Sequence, residues 1–201
     1  MKVKPPAKIS RTYKQGARAQ AAKATGQRVI DAFLSRLMQQ WFDEITLDAV
    51  AEDAGVTVQT VIRKFGNKNG LLAQAVKTFA NQVNARRSSP KGDIKTIIDN
   101  LFHDYEESGD AVIRLLALEE RHQELKDTLN FGRNLHREWV ANAFEDSFPS
   151  SDEGERRRML DCLVITADVY TWKLLRRDMR RSIPASKAVV ENMIRNILIE
   201  E

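Results

Sequence analysis

The amino-acid sequence predicts an all-α fold of about nine helices. Through most of the chain, apolar residues recur three and four positions apart, which is the spacing of one face of a helix. Groups of Ser, Asn, Gly and Pro interrupt this pattern and mark the ends of helices. No alternating run of apolar and polar residues predicts a strand, and the sequence contains no internal repeat.

The first predicted helix begins near Gly26 and directs one apolar face to a core. This face is formed by Ile30, Phe33, Leu34, Leu37, Met38 and Trp41. Thr46 then caps a short second helix, because a threonine hydroxyl can accept a hydrogen bond from the first turn. Gly55 ends that helix.

Thr57 caps a third helix, which ends at the turn signal Gly66-Asn67. A fourth helix begins near Lys68 and stops before Pro90, which cannot continue it. The remaining predicted helices span about 93–107, 109–120, 122–147, 152–180 and 184–200.

The composition predicts a globular protein of a reducing compartment. Of the 201 residues, 42% are hydrophobic, so the chain can bury a core without disulfide or metal support. The one cysteine, Cys162, excludes an intramolecular disulfide and a four-cysteine metal site. No segment has the roughly 18 consecutive apolar residues of a membrane span, and no signal core follows the first basic residues. We therefore expect a cytoplasmic protein without a membrane partner.

Positive charge is concentrated in the first third of the chain. Residues 1–70 contain 12 Lys and Arg against 6 Asp and Glu, whereas residues 71–201 contain 20 against 22. Seven of the basic residues lie in 1–24, where few large apolar side chains occur, so the sequence predicts a flexible basic arm. This asymmetry favours nucleic acid as a partner, and the alternative is a solvated tail without a task.

Residues 46–65, with the sequence TLDAVAEDAGVTVQTVIRKF, have the spacing of a helix-turn-helix. Small Ala51 lies four residues before Gly55, and apolar Val61 lies six residues after it. Two short helices that cross steeply need a small residue at their closest approach, a glycine in the turn, and an apolar residue that packs back. The alternative is a helical hairpin whose apolar residues only form a core.

This segment resembles the DNA-binding segment of the TetR family of transcriptional regulators over residues 27–76. The resemblance rests on Gly55-Val56-Thr57, Thr60-Val61, Phe65, Asn67-Lys68 and Leu71-Leu72. A weaker likeness extends over residues 168–178. The resemblance implies a helix-turn-helix DNA-binding domain at 25–70, after the arm, and a helical regulatory and dimerisation domain at 71–201. It also implies a homodimer that binds a palindromic operator in double-stranded DNA, foremost as a ligand-responsive repressor.

The resemblance places the recognition helix at residues 57–64, which would enter the major groove. The residues that it implies for DNA contact are Thr46, Thr57, Val58, Gln59, Thr60, Arg63, Lys64 and Lys68. Arg63 has the donors to bind guanine and Gln59 can bind adenine, whereas Thr46 and Lys68 match positions that hold phosphates. The family usually has tyrosine at the position of Ile62, so that phosphate contact is missing here.

Two late helices carry wide apolar stripes, which the resemblance assigns to the dimer interface. The predicted interface residues are Leu163, Ala167, Tyr170, Leu174, Val190, Ile194 and Leu198. The alternative is that both stripes are satisfied within one subunit.

The middle helices contribute aromatic and histidine side chains that can line a pocket for a small hydrophobic effector. These residues are Phe102, His103, Tyr105, Phe131, His136 and Trp139. The same residues could equally form a core, and the preference for a pocket comes from the resemblance.

The sequence gives no support to catalysis. His103, His122 and His136 fall in no metal-ligand spacing, and no phosphate-binding glycine loop occurs. Cys162 has no basic partner nearby in the sequence. We therefore expect no catalytic residue, no metal and no cofactor. The competing function is a helical scaffold protein whose basic arm binds nucleic acid without sequence preference.

Overall fold

A computed structural model describes residues 9–149 and 152–199 of the chain. The described residues form helices joined by short connections, and they contain no strand, which confirms the predicted all-α fold. The helices are α1 (Ile9–Leu37), α2 (Leu47–Asp53), α3 (Val58–Phe65), α4 (Lys68–Arg86), α5 (Ile94–Ala117), α6 (Lys126–Ala143), α7 (Glu153–Thr166), α8 (Val169–Lys173) and α9 (Ile183–Ile199). Helix α8 continues as one π-helical turn, Leu174–Asp178. Short 3-10 turns occupy Phe42–Glu44, Gln123–Leu125 and Glu145–Ser147.

Helix α1 begins at Ile9, well before the predicted start near Gly26. Residues 9–24 are therefore helical rather than irregular, although the side chains described between 16 and 24 are exposed. This stretch is rich in Ala, Gln, Lys and Arg, which are good helix formers, and it extends an existing helix without a new nucleation cost. The rest of the predicted arm, residues 1–8, lies outside the described residues.

Helix α5 is continuous where the sequence predicted a break at residues 108–110. Gly109 is required by packing, because a Cβ atom built there would lie 2.5 Å from Cζ3 of Trp172. The absence of a side chain lets the buried indole of α8 approach the backbone of α5. A contact between residues so distant in sequence leaves no local signal.

The predicted helix 152–180 is instead divided into α7 and α8. Asp168 caps α8 by accepting a hydrogen bond from the Tyr170 amide at 2.8 Å. The predicted helix 122–147 retains α6 at its centre, but 3-10 turns replace both ends. Ser150 and Ser151, part of a predicted break, lie outside the described residues, as does Glu200 at the end of the last predicted helix.

The buried side chains form two hydrophobic cores. The first joins α1 to α4 and includes four leucines from the region where α5 ends and α6 begins. The second is formed by α5 to α9, with Phe102, Phe144 and Trp172 among its fully buried side chains. The guanidinium of Arg114 on α5 donates to the carbonyls of Leu37 and Met38, at 3.2 and 2.8 Å. These hydrogen bonds hold the end of α1 against α5.

Helix α4 is fastened to α5 by a buried carboxylate. The Nε atoms of Arg86 and Arg87 lie 2.7 and 2.6 Å from the two oxygens of Asp104, which has no exposed surface. These ion pairs fix the C-terminal end of α4, whose first residues pack in the first core.

We expect Gly109→Ala to lower the free energy of unfolding by about 1–3 kcal/mol, since the added methyl group would overlap the Trp172 ring. The measurement is urea denaturation at a fixed protein concentration.

The matched control is Gly132→Ala in α6, where an added Cβ would meet no atom within 4 Å. Without an overlap, alanine should stabilise that helix by about 0.5–1 kcal/mol. Equal effects of the two substitutions would show that the Trp172 contact does not constrain position 109.

Candidate functional site

The helix-turn-helix predicted for residues 46–65 is formed by α2 and α3. Gly55 has φ of +63°, and the amide of Val56 donates to the carbonyl of Ala51 at 2.9 Å. Ala51 and Val61 are buried where the two helices pack. The turn therefore has the geometry that the Ala51, Gly55 and Val61 spacing predicted.

Threonine caps begin both helices of this motif, as predicted. The Thr46 hydroxyl accepts from the amide of Ala49 at 3.2 Å, and the Thr57 hydroxyl accepts from the amide of Thr60 at 3.3 Å. The hydroxyls of Thr57 and Thr60 lie 3.1 Å apart and form a hydrogen bond. The beginning of α3 thus has a fixed polar edge.

Helix α3 presents a polar and basic face to solvent. Gln59, Arg63 and Lys64 are exposed, and Val58 and Thr60 are half-buried. Among the described residues, no carboxylate lies within ion-pair distance of Arg63 or Lys64. The helix therefore offers unpaired hydrogen-bond donors of the kind that bind base edges and phosphates.

Side chains of α1 hold this motif in place. Arg36 donates from Nε and Nη2 to the two carboxylate oxygens of Asp53, at 2.6 and 3.0 Å. Arg28 donates to the carbonyl of Ala54 at 3.3 Å. Asp53 and Ala54 lie at the end of α2, so the position of the turn depends on α1.

The sequence predicted that Lys68 contacts phosphate, but in the structure its ammonium group binds backbone carbonyls of the same chain. Its Nζ atom donates to the carbonyls of Phe42 and Ile45, both at 2.9 Å, and to that of Asp43 at 3.2 Å. It also lies 4.5 Å from the centre of the Phe42 ring. The ammonium group has three hydrogens, and all three are used within the protein. Partial burial lowers the pKa of Lys68.

An apolar cavity of about 230 Å³, the inner cavity, lies between α1, α4, α5, α6 and α8. Tyr105, His136 and Trp139 line it, as predicted. The other three predicted pocket residues do not. Phe102 is packed in the second core, while His103 and Phe131 are on the surface, because the faces of their helices point away from the cavity.

Sequence reasoning missed several residues of the inner cavity. Leu34 of α1, Phe79 of α4 and Arg87, which directly follows α4, line it. Nothing in the local sequence marks these residues as facing a cavity. Burial raises the pKa of Tyr105 to about 12, and its hydroxyl donates to the Ala167 carbonyl at 3.1 Å. Burial, followed by the charge of Arg87, lowers the pKa of His136 to about 4.

The predicted dimer residues divide into two groups. Leu163, Ala167, Val190 and Ile194 are buried in the second core, so they are satisfied within one subunit. Leu198 is half-buried against the same core. Tyr170 and Leu174 are exposed, because the apolar stripes of these helices extend around more than one face. Further exposed apolar side chains in this region are Ile165, Met179, Ile183, Val189 and Met193.

Within the described part of the chain, no helix is both long and apolar enough to cross a membrane. The same residues contain no cluster of His, Cys, Asp and Glu that could hold a metal ion.

Residues 30–75 match the sequence model of a family described as bacterial regulatory proteins, tetR family. These residues contain α2, α3, most of the core-facing part of α1 and the start of α4. No curated protein matches the chain.

Several solved structures share the fold over most of the chain. A TetR-family transcriptional regulator from a Rhodococcus species has a TM-score of 0.71 at 16% identity, over 88% of this chain and 99% of the other. A TetR-family regulator from Mesorhizobium loti has a TM-score of 0.64 at 14% identity, over 88% and 96%. The fatty acid degradation regulator FadR from Bacillus halodurans has a TM-score of 0.55 at 16% identity, over 86% and 94%.

We expect Lys68→Met to lower the free energy of unfolding by about 1–3 kcal/mol, because it leaves three carbonyls without their donor. Methionine keeps most of the apolar stem. The measurement is chemical denaturation followed by circular dichroism.

The neighbouring exposed lysine gives the control, since Lys64→Met should change stability by no more than about 0.5 kcal/mol. If both variants were as stable as the parent protein, the inward contacts of Lys68 would have no structural role.

Proposed function

Because residues 30–75 match the tetR family and the chain has the fold of TetR-family transcriptional regulators, we propose that it is a dimeric, sequence-specific transcriptional repressor. In this proposal it binds a palindromic operator in double-stranded DNA and leaves it when a small, mainly apolar molecule binds.

The exposed face of α3 is the observation that carries the proposal. Gln59 and Arg63 have side chains that can form paired hydrogen bonds with adenine and guanine in the major groove. Arg63 and Lys64 have no carboxylate partner among the described residues, so their positive charge is available to DNA. Thr46, Thr57, Val58 and Thr60 border this face at the beginnings of α2 and α3 and complete the proposed contact surface.

The short length of α3, the proposed recognition helix, favours a dimer. Helix α3 spans only Val58–Phe65, so one copy can read only a few base pairs. Two copies related by a twofold axis would read the two halves of an inverted repeat. The exposed apolar side chains on α7, α8 and α9, which include Ile165, Tyr170 and Leu174, provide a surface for this pairing.

The inner cavity suggests how a ligand would affect DNA binding. Leu34 and Leu37 of α1, and Met38 directly after it, line the cavity together with Phe79 and Val83 of α4. Helices α1 and α4 also pack against the helix-turn-helix in the first core. A ligand that fits the cavity better in one arrangement of these helices would shift the protein toward that arrangement and change the spacing of the two α3 helices.

We expect Arg63→Ala to lower the preference for sequences enriched from a random duplex pool by roughly five- to 150-fold, while binding to unrelated DNA changes less. The reason is that a guanine contact contributes roughly 1–3 kcal/mol of discrimination. Titrations of enriched and scrambled duplexes at one salt concentration measure this preference.

Arg157→Ala is the control, because Arg157 is an exposed arginine on α7, outside the helix-turn-helix. It should leave the preference unchanged. If Arg63→Ala weakened binding equally on every duplex, Arg63 would be a phosphate contact and not a base contact.

We expect Leu174→Glu to convert the dimer to a monomer at micromolar concentration, since it would place a charge in an apolar interface. Sedimentation velocity measures the mass. As a control, Gln82→Glu changes an exposed residue of α4 and should remain dimeric. A dimeric Leu174→Glu variant would place the interface elsewhere.

A further inference from the structure

The inner cavity borders a second cavity of about 330 Å³, the outer cavity, whose lining is more polar. The two cavities share Asn84, Arg87, Leu135 and Trp139. The other residues of the outer cavity are predominantly polar: Ser88, Ser89, Lys91, Glu138, Asn142 and Ala143. Arg87 and Trp139 therefore lie at the boundary between the apolar inner cavity and the more polar outer cavity.

Arg87 is held rigidly at this boundary. Its side chain is only 8% exposed, its Nε atom lies 2.6 Å from Asp104, and its guanidinium carbon lies 5.0 and 4.9 Å from the centres of the Tyr105 and Trp139 rings. A guanidinium fixed by a carboxylate and two aromatic rings loses little conformational entropy when it binds a ligand.

Most of the hydrogen-bonding capacity of Arg87 is unused. A guanidinium has five N–H donors; the Nε donor of Arg87 binds Asp104, and the Tyr105 hydroxyl is close enough to be a second partner. The terminal nitrogens of Arg87 are not among the fully buried polar atoms that lack a partner, so they are open to the space around them. Because Arg87 lines both cavities, these nitrogens can donate to a ligand there.

The charge around Arg87 is also unbalanced. Asp104 is shared with Arg86, so one carboxylate faces two guanidinium groups. Lys91, in the outer cavity, is paired with Glu145 and adds no net charge. Glu138 is the remaining acid of that cavity and is exposed, where solvent weakens its effect.

The behaviour of His136 agrees with an excess of positive charge in the inner cavity. After burial, the charge of Arg87 is the main cause that lowers the pKa of His136. Asp168 and Arg133 also line the inner cavity, and their charges oppose one another.

From these observations, and resting on the proposed ligand response, we propose that the effector is an amphipathic acid. Its apolar body would fill the inner cavity, and its carboxylate or similar anionic group would bind the free nitrogens of Arg87 at the boundary with the outer cavity. The inner cavity has room for on the order of ten non-hydrogen atoms at the packing density of proteins. Paired hydrogen bonds from guanidinium to carboxylate are strong and directional, so the anionic group would determine specificity.

Three probes with the same alkyl chain test this inference: decanoate, decanol and decylammonium. We expect decanoate to bind at least about tenfold more tightly than decanol, and decylammonium to bind more weakly than either, in calorimetric titrations of the full chain. Decanol or decylammonium binding as tightly as decanoate would overturn the inference, and so would the failure of all three to bind.

Two arginine variants form a matched pair, because each removes one guanidinium from Asp104 but only Arg87 borders the cavities. Arg87→Met should remove the preference for decanoate over decanol. Arg86→Met should retain most of it, because Arg86 is one-third exposed and its charge is screened by solvent. Equal loss in both variants would contradict a direct contact with Arg87.

Nuclear magnetic resonance of His136 keeps the inference testable if Arg87→Met does not fold. Bound decane-1-sulfonate, an anion that stays ionised where His136 titrates, should raise the pKa of His136 relative to bound decanol, since an anion at Arg87 would offset the positive field. An unchanged pKa of His136 would contradict the proposed position of the anionic group.

These measurements use the protein without DNA, so they can fail independently of the proposed function. Sequence-specific DNA binding without a preference for decanoate would overturn only the acid inference. Tight decanoate binding by a protein that prefers no DNA sequence would support the anion site and contradict the repressor.

Discussion

The buried carboxylate of Asp104 is the constraint on which the arrangement of the two halves depends. Its oxygens take one Nε atom each from Arg86 and Arg87, so the end of α4 cannot move away from α5 without exposing buried charge. Breaking a buried ion pair by removing one partner typically costs about 3–5 kcal/mol. Because α4 starts beside the helix-turn-helix, this contact also limits the positions that α3 can take. Asp104 binds Arg87 through Nε, and this contact fixes the guanidinium of Arg87 in the lining of the inner cavity.

The inner cavity lies where the two cores meet, so a ligand bound there would affect the proposed DNA-binding face. The end of α1 and the middle of α4 line the cavity and also pack in the first core. Arg36 and Arg28 on α1 in turn hold the end of α2. A ligand in the cavity thus contacts the two helices that determine the orientation of α2 and α3. A repressor that responds to such a ligand needs only a difference in how well each arrangement of α1 and α4 accommodates it.

The sequence predicted local features of the fold well because short-range chemistry determines them. Thr46, Thr57 and Gly55 act through bonds within a few residues, and the structure confirms each of them. Features that depend on distant contacts were not predictable in this way. The sequence predicted a helix break at Gly109. The contact that explains this glycine comes from Trp172 in another helix, and it leaves no signal in the local sequence. Lys68 was predicted to contact phosphate, because nothing in the sequence shows that carbonyls of Phe42, Asp43 and Ile45 surround its ammonium group.

The same limit applies to the pocket and to the dimer surface. Helical spacing identified apolar stripes on the late helices, but not which side of each stripe faces the core of its own subunit. The structure places Val190 inside and leaves Tyr170 exposed. Likewise Tyr105 borders the inner cavity and the nearby Phe102 does not, because the two side chains lie on different faces of α5.

Sequence-specific recognition of DNA by paired copies of α3 is the central claim, and selection from a random duplex DNA pool tests it most directly. Purified protein is incubated with the pool at near-physiological and at higher salt, and the bound duplexes are sequenced. We expect an enriched inverted repeat whose half-sites are about one helical turn, or a multiple of it, apart. A pool that remains unenriched at every salt concentration would contradict it and would favour non-specific binding through the basic N-terminal residues.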